Sequence, residues 1–77
     1  MLLYQALHDN CEQYEDNYTW RENAVYKDKN KLIRKLLDAG YEEIKHLNGK
    51  TEYYKETSYI GVIFKDLVTI EIIELRD

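Results

Sequence analysis

The densest apolar run in the chain is residues 58–75, SYIGVIFKDLVTIEIIEL. Short β-branched runs of this kind predict strands. Two are expected here, 59–64 and 67–75, joined by a turn at Lys65-Asp66. Pairing Phe64 with Leu67 would set Tyr59, Gly61, Ile63, Val68, Ile70 and Ile72 on one face. Ile60, Val62, Phe64, Leu67, Ile73 and Leu75 would fall on the other. A sheet with one wet face alternates cleanly between apolar and polar positions, and these strands do not. The pattern therefore predicts a cover for the second face, from a helix, a second copy or another protein.

Upstream, Leu3, Leu7, Cys11, Tyr14 and Tyr18 recur at spacings of three and four, which predicts a first helix over 2–16. Residues 17–27 follow neither period and read as a connection with a short extended piece. The clearest helix spans 29–39. Asp28 is its expected N-cap, Gly40 its left-handed C′ residue, and Leu32, Ile33, Leu36 and Leu37 its buried stripe. Residues 41–47 and 51–55 then read as strands around Asn48-Gly49, a strong hairpin signal. The expected fold is α+β: two N-terminal helices packed on a three- or four-stranded antiparallel sheet, in two layers. Residues 1–77 form one small domain in this reading.

Composition changes the picture in three ways. A chain of 77 residues has a thin core, so association would stabilise it. Its one cysteine, Cys11, rules out an internal disulfide and suits a reducing, cytoplasmic setting. The start, MLLYQALHDN, lacks the basic and apolar regions of a signal peptide, and no apolar stretch predicts a membrane span. Rich in lysine, glutamate and tyrosine and free of proline, the chain has the composition of small proteins from mobile elements or phages, although no motif carries that resemblance.

Charge is uneven. Asp9, Glu12, Glu15, Asp16 and Glu22 oppose only Arg21 in residues 1–22, while Lys27, Lys29, Lys31, Arg34 and Lys35 oppose only Asp28 in 23–36. The basic cluster could lie along phosphates, with Tyr26 stacking on a base. A solvated helix face explains it better in a chain of pI about 5.1. The acidic segment could imitate a row of phosphates, but a net charge of −4 is small for such a mimic.

Catalytic and metal signals are sparse. His8 and Cys11 would share one side of the expected helix, but the second ligand pair of a zinc motif is missing, so no metal or other cofactor is expected. No glycine-rich phosphate loop exists, and the only serine, Ser58, has no base beside it in sequence. Non-enzymatic function is therefore expected.

The eight tyrosines are the most suggestive residue class, because tyrosine and tryptophan anchor interfaces at low entropic cost. Three functional expectations follow. The first is a small inhibitor or adaptor that occupies a surface of another protein, such as a nucleic-acid-binding or host-defence protein. Its contacts would be Tyr14, Tyr18, Trp20, Tyr53, Glu12 and Asp16. The second is a homodimer formed through Ile60, Val62, Phe64, Ile73 and Leu75. The third is nucleic-acid binding through Lys27, Lys31, Arg34 and Lys35.

Overall fold

The computed structural model describes residues 1–12 and 17–76. It holds β1 (Leu2–Asp9), β2 (Thr19–Arg21), α1 (Lys29–Asp38), β3 (Glu42–Lys45), β4 (Thr51–Tyr59) and β5 (Val62–Glu74). The strands form a single sheet in the order β2-β1-β5-β4-β3, with every neighbouring pair antiparallel. The expected pair of helices on a smaller sheet is therefore wrong: among the described residues, five strands carry one helix.

The correction rests on β1. Residues 2–9 form a strand that pairs with β5 along one edge and, at Leu7–Asp9, with β2 along the other. Tyr4, Ala6 and His8 point to the helix side. Leu3 and Leu7 are half-buried on the other side, opposite Ile73 and Thr69. A strand with apolar residues on both faces loses its period of two, and Leu3 and Leu7 then fall by chance at a helical spacing. The predicted helical positions Tyr14 and Asp16 lie outside the described residues.

α1 matches its local signals closely. The Asp28 side chain accepts a hydrogen bond from the Asn30 N–H at 2.9 Å, and Gly40 follows the helix at φ 95°. Lys55 Nζ donates to the Ala39 carbonyl at 2.6 Å, which ties the helix end to β4. Leu32 and Leu36 are buried and Ile33 is half-buried, but Leu37, expected in the buried stripe, is exposed at its edge. An Asp28→Ala variant is expected to lose about 1 kcal/mol. Urea denaturation should show this as a lower midpoint with an unchanged slope.

The core joins Leu32 and Leu36 to Ala6, Tyr53 and Val68, with Tyr4, Tyr26, Ile33, Tyr41 and Ile70 packed around them. Helix and sheet thus form two layers over the middle of the sheet. On the opposite face, Arg21 makes a two-pronged pair with Glu71 at 2.9 and 3.0 Å. It links β2 to β5 across β1.

The 58–75 region departs most from expectation. Lys65-Asp66 is no turn. β5 runs unbroken through both residues, and the turn is Ile60-Gly61, where Tyr59 pairs with Val62. Both turn residues have positive φ, 49° and 73°, the pattern of a type I′ hairpin. Gly61 is therefore a turn residue and not a strand position. The β3–β4 hairpin around Asn48-Gly49 forms as predicted, but with shorter β3 and longer β4 than expected.

Candidate interaction surface

β3 stops pairing with β4 at Tyr54, and β1 stops pairing with β5 at Leu67. Past these points, β4 and β5 have only each other as strand partners, from the Lys55–Asp66 pair to Tyr59–Val62. They form a two-stranded arm that projects from the body. The molecule measures 48 × 27 × 27 Å, and its radius of gyration of 13.7 Å exceeds the figure of about 11–12 Å for a compact chain of this length.

Register assigns each arm side chain to a face. Tyr59, Val62 and Phe64 share the face on which α1 lies, with Thr57 beside them, while Ile63 and Ser58 take the other. All are exposed, and Ile60 at the tip is 83% exposed. Two oppositely charged pairs, Lys55 with Asp66 and Glu56 with Lys65, stand opposite one another at the root. The arm is thus apolar toward its tip and electrically balanced at its base.

The Ile60 backbone is unusual. A β-branched residue at positive φ is a true outlier, and the left-handed region costs an L-residue roughly 1–2 kcal/mol. Asparagine or glycine would fit this turn position better. Strain at an exposed position has no role in packing the core, and such outliers concentrate at functional sites.

At the root of the arm, on the same face, lies a buried polar cluster. His8 is 5% exposed. Its Nδ1 lies 2.8 Å from Asp66 Oδ2, and its Nε2 lies 2.7 Å from Glu22 Oε1. A ring with both nitrogens protonated donates to both carboxylates, whereas a neutral ring donates to one. Tyr41 donates its hydroxyl proton to Asp66. Burial, then the Asp66 carboxylate, holds the Tyr41 phenol well above the usual tyrosine range. The Trp20 indole stacks on His8 at 4.7 Å, and Tyr18 stacks on Trp20 at 5.7 Å. Lys35 Nζ lies 3.7 Å from Glu22 and 5.7 Å from the centroid of the Tyr26 ring.

This cluster was not legible in the chain. His8 and Cys11 were expected to share one side of a helix, but His8 lies buried on β1 and Cys11, just past the strand, is exposed. The two carboxylates sit on opposite sides of the imidazole ring, so they do not converge on a shared point. Among the described residues, no group of three or more His, Cys, Asp or Glu side chains could hold a metal ion. Burial and nearby Asp9 push the Cys11 thiol up, which disfavours the nucleophilic thiolate.

The residues expected at a partner interface separate. Tyr18 and Trp20 are exposed and stacked together, and Glu12 is exposed. Tyr53 is 2% exposed and belongs to the core, so it is not a surface contact. Its period-two position on β4 points it at α1, and burial followed by Glu43 raises its phenol. Tyr54 takes the opposite face, where a hydrogen bond to Glu56 pushes it up to about 12. Among the expected dimer residues, Ile60, Val62 and Phe64 lie on the arm, while Ile73 and Leu75 sit at or just past the far end of β5, next to the paired start of β1. The basic residues Lys27, Lys31, Arg34 and Lys35 are exposed on or before α1.

Cavities among the described residues flank these features. One, of about 550 Å³, opens between α1 and the β3–β4 hairpin and is lined in part by Lys29, Lys45, Lys50 and Glu43. A smaller one, of about 220 Å³, lies beside β5 of the arm, against Asn10 and Glu12. No described helix is long and apolar enough to cross a membrane. No protein-family model, curated protein sequence or solved structure matches this chain.

Proposed function

We propose that this protein is a non-enzymatic binding module, of the small inhibitor or adaptor kind, that works by laying the β4–β5 arm against another polypeptide. The observation that supports this reading most directly is the arm itself. Its apolar side chains point to both faces, past the ends of β1 and β3. A lone two-stranded hairpin is marginal in water, so an exposed apolar arm favours a state in which it is covered. The stacked Tyr18 and Trp20 at the root extend the contact surface. Exposed, unpaired Cys11 suits a reducing compartment.

The test compares the full chain with a Phe64→Glu variant, both immobilised. Phe64 is exposed, so the variant should keep the wild-type circular dichroism spectrum. The wild type is expected to retain a polypeptide that the variant releases, with binding weakened about thirtyfold or more if Phe64 is an anchor. Equal retention by the two chains would remove the arm as the contact surface.

A further inference from the structure

We infer that the polypeptide which covers the arm is a second copy of this chain, packed antiparallel through the face formed by Tyr59, Val62 and Phe64. The inference rests on the arm being a binding surface and names its occupant.

Three observations carry it. The first is area. Tyr59, Ile60, Val62 and Phe64 are each more than half exposed, and together they present on the order of 500 Å². Two arms that cover each other would bury about 1,000 Å², the least that a specific interface needs. No larger partner surface is required.

The second is charge. The chain carries −4 overall. The arm holds Lys55 and Lys65 against Glu56 and Asp66. Two copies can therefore meet at the arms without setting one like-charged patch on another, although their bodies repel.

The third is the distribution of apolar residues. On β4, the outward segment Lys55–Tyr59 is polar except for its last residue, which guards that edge against strand addition. The β5 edge is flanked by Asn10 and Glu12. The faces are what remain, and the helix-side face holds three large side chains where the other holds Ile63. Packing that face on itself about a two-fold axis is an isologous contact, which closes at a dimer. In this arrangement each tip reaches toward the root of the other arm. The exposed Ile60 side chain is then covered in the dimer, which accounts for a β-branched residue at a strained turn position.

Analytical ultracentrifugation of the full chain, from micromolar to near-millimolar concentration, tests the proposal. The wild type is expected to move from monomer to dimer. Phe64→Glu should weaken the dimer about thirtyfold or more, while Ile63→Glu, on the opposite face, should change it by less than about threefold. Ile60→Asn guards against misfolding as an explanation, because Asn-Gly is the favoured type I′ pair. At a dilution where the wild type is monomeric, this variant should melt at a higher temperature, and it should also dimerise more weakly.

A wild type that stays monomeric throughout would overturn the second copy as occupant. The capture comparison would then decide separately whether the arm binds another protein. A dimer indifferent to Phe64→Glu, or one that Ile63→Glu weakens as strongly, would overturn the assigned face.

Discussion

Leu32→Ala is expected to lower the stability of the fold by about 3–4 kcal/mol, within the usual range for a buried leucine. Leu32 is fully buried, and among the described residues the core it joins has only four other buried apolar residues. One of these, Ala6, offers no flexible side chain that could collapse into the space left behind. The cavity should persist, so the loss should exceed the simple transfer term. A domain of this length has only about 4–12 kcal/mol in total, so the variant should sit near the edge of folding. Urea titration followed by circular dichroism would measure the effect. Leu37→Ala on the same helix is the control, because Leu37 is 44% exposed and should lose less than about 1 kcal/mol. Similar losses at the two positions would contradict the packing of α1.

His8→Ala is expected to cost about 3 kcal/mol, the lower end for breaking a buried pair, because the Glu22 and Asp66 side chains keep 26% and 21% exposure. The histidine separates two carboxylates that would otherwise face each other across an emptied site. Asp66 Oδ1 is already buried with no hydrogen-bond partner among the described residues, which leaves that carboxylate little spare compensation. Removing Asp66 as well should relieve part of the penalty. The double variant His8→Ala, Asp66→Ala should therefore lose less than the two single variants added together. The single tryptophan, Trp20, stacks on the ring and makes its fluorescence a local reporter of the site. Strictly additive losses would mean the cluster is not coupled. The outcome also bears on the arm, since Asp66 stands at its root and anchors β5 to β1 and Tyr41.

Local features were legible where their physics is local. The Asp28 cap, the Leu32 and Leu36 stripe and Gly40 all act within one or two helical turns, so α1 could be read directly. The β3–β4 hairpin was readable because Asn48-Gly49 acts on its immediate flanks. The Ile60-Gly61 turn was not, since isoleucine is disfavoured at that position and Lys65-Asp66 looked the better break. The burial of His8 could not be seen either. Its partners Glu22 and Asp66 lie 14 and 58 residues away, and only the strand assignment of β1 brings them together.

Taken alone, the chain determined where α1 starts and stops, that its C-terminal half is strand, and that apolar side chains there would point both ways. The tertiary structure decided what those side chains meet. Leu2 pairs with Glu74 and Asp9 with Leu67, contacts between the two ends of the chain that no local period encodes. This pairing makes β1 a central strand and gives the inner half of β5 its partner, with β4 taking over on the other side from Val68 outward. It ends at Asp9, and β3 ends at Glu42, so the outer half of the β4–β5 hairpin is left as an arm. A residue's identity sets its preference for burial, but the reach of its neighbouring strands decides whether that preference is met within one chain.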